Sequence, residues 1–110
     1  MSKEDSLGQF EVLILTAVVT LAGNAYGATI QEVIEDLSGG RSYAIGSVYT
    51  AIDRLEAKGF VKSSYGGAGP ERGQRSKRFV EILAPGKRAL DRSVAISGRV
   101  RSVLGGEVGS

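Results

Sequence analysis

Between two short segments rich in aromatic and β-branched residues, Phe60–Tyr65 and Ser76–Leu83, the chain places Gly66-Gly67-Ala68-Gly69-Pro70-Glu71-Arg72-Gly73-Gln74-Arg75. Glycine and proline at this density dictate a long hairpin loop joining two strands. The hairpin divides the chain, because helical spacing fills the residues before it and returns after Pro85. With 110 residues in all, these parts belong to one compact domain.

Leu7–Leu21 repeats apolar residues at intervals of three and four, through Phe10, Leu13, Ile14, Ala17, Val18 and Leu21, the pattern of a buried helix. Val12, Leu15 and Val19 spread the apolar character round most of the cylinder, so this helix is expected to be covered on several sides, a partner subunit included. Ala22-Gly23-Asn24 stops it. A second helix over Ala28–Leu37 has a single core stripe of Ile30, Val33, Ile34 and Leu37, and Gly39-Gly40 ends it. The third, Ile45–Lys58, places Ile45, Val48, Ile52 and Leu55 on one face, with Gly59 supplying the left-handed position after its end. Its opposite face carries Gly46, Ser47, Thr50, Arg54 and Ala57. The last helix, about Pro85–Leu104, runs through Ala89, Leu90, Val94, Ile96, Val100, Val103 and Leu104; Gly98 weakens it by about 1 kcal/mol relative to alanine. The expected fold is mostly α with a small β-hairpin, a winged helix-turn-helix domain over residues 7–83 and a C-terminal helix over 84–104.

Small domains bury a lesser share of their surface, so dimerisation is a natural supplement to a core drawn from 42% apolar residues. Cysteine and histidine are absent, which removes disulfides, thiolate nucleophiles, imidazole bases and the usual metal sites; no catalytic residue, metal or cofactor is expected. The glycine-rich stretch fails as a phosphate loop, since the spacing differs and a strand follows it. The longest apolar run, Val12–Val19, is broken by Thr16 and preceded by Glu4, Asp5 and Glu11, so neither a signal peptide nor a membrane span is expected and the reading is cytoplasmic.

The net charge of +2 conceals an asymmetry. Residues 1–40 hold one base and six acids, a net of −5, while residues 41–110 hold thirteen bases and six acids, a net of +7. Such a chain meets a polyanion with one side only, unless the bases merely solvate a face. Arg72, Arg75, Lys77 and Arg78 flank the hairpin tip, where they can neutralise phosphates or enter a minor groove; charges that blunt an exposed strand edge are the alternative. On the third helix, Ser47 and Thr50 can bond phosphates or base edges, and Arg54 can reach a phosphate or a guanine. Tyr49 borders the two faces of that helix and is read either as packing or as a phosphate contact. A winged helix used to grip other proteins is the rival reading, but it calls for apolar residues on the hairpin where this chain has bases.

Several stretches resemble the PadR-type transcriptional regulators: Leu7-Gly8-Gln9-Phe10-Glu11, Ala25-Tyr26-Gly27, Gly46–Glu56, whose Gly-x-Val-Tyr leads into Arg-Leu-Glu-x-Lys-Gly, and Pro70–Phe79. The resemblance runs from about Leu7 to Leu90. It implies a winged-helix domain that binds duplex DNA, acting mostly as a repressor on an inverted-repeat operator, and a C-terminal helix that makes a homodimer. By the matching motifs, Ser47, Tyr49, Thr50 and Arg54 fall on the recognition helix and Arg72, Arg75, Lys77 and Arg78 on the wing. Tyr26 matches a motif tyrosine with two roles open to it, phosphate contact or packing. The dimer is expected to use Leu13 of the first helix and Val94, Val100 and Leu104 of the last. Two positions depart from the family: Ala44 and Leu83 stand where it often has Ser and Thr caps, and a missing cap costs about 1 kcal/mol unless Ser42 or Ser47 substitutes for Ala44. Some members trap flat aromatic molecules between tryptophans; this chain has none, and any small-molecule effector is left to the seam between subunits.

Overall fold

The computed structural model describes residues 7–66 and 77–105. The first helix, α1 (Gln9–Leu21), starts two residues later than its apolar pattern suggests, after the N-cap Gly8, whose N–H donates to Glu11 Oε1 at 3.1 Å. Thr16 and Thr20 return their hydroxyls to carbonyls one turn back, so their polar atoms are satisfied within the helix. Ile14, Leu15, Ala17 and Val18 of α1 are buried. A 3₁₀ turn, Ala22–Asn24, follows, entered through Ala22 at φ 54°.

In α2 (Gly27–Leu37) the Thr29 hydroxyl accepts the Tyr26 N–H at 3.0 Å, and Ile30 and Ile34 enter the core. In α3 (Ile45–Ala57) Val48, Ala51, Ile52 and Leu55 are buried. Leu37 and Ile45, expected in the two core stripes, are instead exposed. Leu37 is the last residue of α2 and Ile45 the first of α3, and at these termini the chain turns away and leaves both side chains open to solvent. That connection is pinned by Gln31 Nε2, which donates to the Tyr43 carbonyl at 2.6 Å, and by stacking of Tyr43 on Phe10, with ring centroids 5.1 Å apart. α3 closes on Gly59 at φ 79°, a conformation that costs glycine nothing, with Gly59 N–H bonded to the Glu56 carbonyl and Phe60 N–H to that of Leu55. Lys58, just past the helix, reaches both Glu11 oxygens at 3.1 and 3.2 Å and so ties α3 to α1.

Strands β1 (Val61–Gly66) and β2 (Lys77–Ile82) pair antiparallel, from Val61 opposite Ile82 to Gly66 opposite Lys77. Val61 and Val80 turn into the core. On its other side β2 is held by a bond from the Val80 N–H to the Ala25 carbonyl, 2.8 Å long.

The fourth helix, α4 (Ala84–Gly105), begins where Leu83 N–H meets the Phe60 carbonyl at 2.8 Å. Gly86 lies directly against the Phe60 backbone, too close to admit a Cβ. Ala89 and Leu90 are buried, but Val94, Ile96, Val100, Val103 and Leu104 are exposed. At 1.5 Å per residue the helix is about 33 Å long, and its second half leaves the body of the domain. Three helices, a hairpin and a long helix make a winged helix-turn-helix fold. No helix among the described residues is long and apolar enough to cross a membrane.

Candidate nucleic-acid interface

α3 seats its apolar stripe on the core and leaves Gly46, Ser47, Thr50, Arg54 and Ala57 exposed on the far side. Among the described residues Arg54 forms no ion pair, so its guanidinium stands in solvent. Ala44 caps α3 without a side-chain hydrogen bond, and among the described residues no bond from Ser42 or Ser47 takes its place. The Ser47 and Val48 N–H groups both reach the Ala44 carbonyl, while those of Ile45 and Gly46 have no intrahelical partner and carry the positive end of the helix dipole.

Tyr49 leans over the start of α2, and its hydroxyl lies against the Cα of Gly27, leaving no room for a Cβ. Packing thus accounts for much of Tyr49, and it accounts for a glycine after Tyr26. The Tyr26 ring meets Phe79 edge-on at 5.5 Å, and Lys77 Nζ lies 4.6 Å from the centre of the same ring. Lys77 is otherwise exposed, so its ammonium is held by an aromatic face while still open to an anion.

Arg78 behaves differently. Its Nη2 lies 2.9 Å from Asp53 Oδ1 and 2.7 Å from Glu56 Oε1, and its Nε donates to Ser63 Oγ at 2.9 Å. Burial pulls the Arg78 guanidinium down, but the hydrogen bonds and charge of Asp53 and Glu56 outweigh it and raise the pKa above its ordinary value. Glu56 is lowered in return, mainly by the Arg78 hydrogen bond, with Ser63 adding to it and burial opposing. Expected among the groove-facing bases of the wing, Arg78 is turned onto α3. Asp53, Glu56 and Ser63 were not singled out by the sequence reasoning, although the two-residue alternation of β2 holds the signal: if Val80 faces inward, so does Arg78. Arg72 and Arg75 lie outside the described residues.

The residues expected at a dimer contact are not brought together within one chain. Leu13 is half-buried against the core, beside Phe10, Leu37 and Tyr43, whereas Val94, Val100 and Leu104 stand uncovered along α4.

The sequence profile of the transcriptional regulator PadR-like family matches residues 14–92. No curated protein matches the chain. Among solved structures, a PadR family transcription regulator from Clostridium difficile R20291 superposes with a TM-score of 0.73 at 20% identity, over 92% of this chain and 99% of that one. A transcriptional regulator from Clostridium thermocellum gives 0.68 at 21% identity, over 86% and 87% of the two chains. Bacillus subtilis PadR, solved in complex with operator DNA, gives 0.60 at 17% identity over 78% of this chain, which spans 46% of that protein. Identities this low carry the fold alone. The profile match, extending from the middle of α1 into α4, carries the assignment: the chain belongs to the PadR-like family of transcriptional regulators.

Proposed function

We propose that this regulator binds duplex DNA sequence-specifically as a homodimer, on an inverted-repeat operator, and represses by occupying a promoter. The observation that carries the reading is the exposed side of α3. It is small and polar and carries Arg54, which forms no ion pair among the described residues, on a helix narrow enough for a groove about 12 Å wide. Beside it stands a hairpin whose tip is glycine-rich and basic. Bacillus subtilis PadR, a protein of similar fold, has been solved in complex with operator DNA, which supports DNA as the partner of this chain.

In this reading residues 7–83 form the DNA-binding unit and α4, over 84–104, the dimer contact. Two recognition helices related by a two-fold axis would enter successive major grooves, about 34–36 Å apart, with the wings on flanking backbone or minor groove. Such a protein works in the cytoplasm and needs no catalytic group. Titration with duplex oligonucleotides at several salt concentrations tests the reading. Affinity should fall steeply as salt rises, because each neutralised phosphate releases counterions. Absence of any association in dilute buffer would overturn it in favour of a protein-binding module.

A further inference from the structure

Arg78 occupies a junction. Val80 points into the core, so the pleat turns Arg78, two residues before it, toward the same side and onto α3. One guanidinium there holds three elements: Asp53 and Glu56 on α3, Ser63 on β1, and its own strand β2. The Ser63 hydroxyl completes the ring by donating to Glu56 Oε1 at 3.1 Å. In helical projection Asp53 lies on the outermost ridge of α3, between Gly46 and Ala57, and Glu56 lies on one flank of the same face. Both carboxylates are partly open to solvent, at 66% and 40%, while Arg78 retains only 17%. Without their partner, two negative charges would stand on the side of α3 that the proposed function turns toward the DNA groove.

We infer that Arg78 is a positioning residue: it screens Asp53 and Glu56 on the recognition helix and fastens the wing to that helix, instead of touching DNA itself. The inference rests on the DNA-binding reading. For Arg78 to reach a phosphate it would have to abandon both acids and leave them facing the polyanion, a like-charge juxtaposition that opposes binding.

The test is a charge-removal cycle on the full chain, read by titration of a mixed-sequence duplex. It uses Arg78→Gln, the double variant Asp53→Asn/Glu56→Gln, and the triple variant. Arg78→Gln should weaken binding about tenfold or more at pH 7. The triple variant, in which neither of these two carboxylates remains, should recover most of that loss. A second readout is the pH profile. The charged and titratable groups around Glu56 are Arg78, Asp53 and, near Arg78, Tyr65. In Arg78→Gln the affinity should climb toward wild type as the two acids take up protons at low pH, relative to the wild-type profile. Should Arg78→Gln not fold, Arg78→Met, which removes the charge and keeps an apolar stem of similar length, replaces it in the same cycle. A triple variant as weak as Arg78→Gln, with no relief at low pH, would make Arg78 a direct DNA ligand and overturn the proposal. Failure of the wild-type chain to bind any duplex would remove the parent reading and this one with it, a result distinct from a failed rescue.

Discussion

Gly86 and Gly98 sit on the same helix, yet substitution should act on them in opposite directions. Gly86 faces the Phe60 backbone, and a Cβ built there would lie 2.9 Å from the Phe60 carbonyl carbon. Gly86→Ala is therefore expected to cost about 1–3 kcal/mol, because backbone cannot swing aside as a side chain can. Gly98 has open space around it, so Gly98→Ala should stabilise α4 by up to about 1 kcal/mol. Thermal melts of the two variants read both signs; a Gly86→Ala protein melting with wild type would disprove the close approach. Glu56 makes a pH prediction at the same scale. Its folded-state pKa is depressed, first by Arg78, so its contribution is present at neutral pH and is lost as pH falls below about 4.5 and through the lowered value. The gap in melting temperature between wild type and Arg78→Gln should accordingly shrink on acidification, and only modestly, because the carboxylate is exposed.

Elements were legible in proportion to how local their signals are. Apolar spacing and glycine stops located all four helices and both strands to within two residues of their observed ends, since helix period and C-terminal glycines are written in neighbouring residues. The same spacing put Leu37 and Ile45 in the core, because it tells which face is apolar and not how far the neighbours extend to cover it. Arg78 shows the other limit: its partner Glu56 is 22 residues away, and only the fold makes them adjacent. For α3 and the wing the expected outcomes separate. Alanine at Ser47, Thr50 or Arg54 should change which sequences are preferred, by about 1–3 kcal/mol for a true base contact. Alanine at Arg72 and Arg75 should weaken all duplexes alike and flatten the salt dependence. Selection from a random duplex pool followed by salt titration distinguishes the two; an unaltered preference profile would reduce an α3 residue to phosphate contact or packing.

Across the whole molecule the least settled surface is the outer half of α4, where Val103 is 83% and Leu104 79% exposed. These residues continue the face that buries Ala89 and Leu90 nearer the body, so a core-facing stripe runs on past the point where the core ends. In the proposed homodimer a second α4 covers it. Val100→Glu with Leu104→Glu should yield a monomer by light scattering while the domain keeps its cooperative melt; a dimer that survives would move the contact to α1 and Leu13. The bond from the Val80 amide to the Ala25 carbonyl bears on how such a molecule would meet its target. Through it the base of the hairpin, on β2, is stitched to the segment that feeds α2, so a displacement of that strand is passed on to the helix. In the proposed complex a wing anchored in this way presents the duplex with one template, and sequences that bend cheaply to match it would be favoured even at base pairs no side chain reaches.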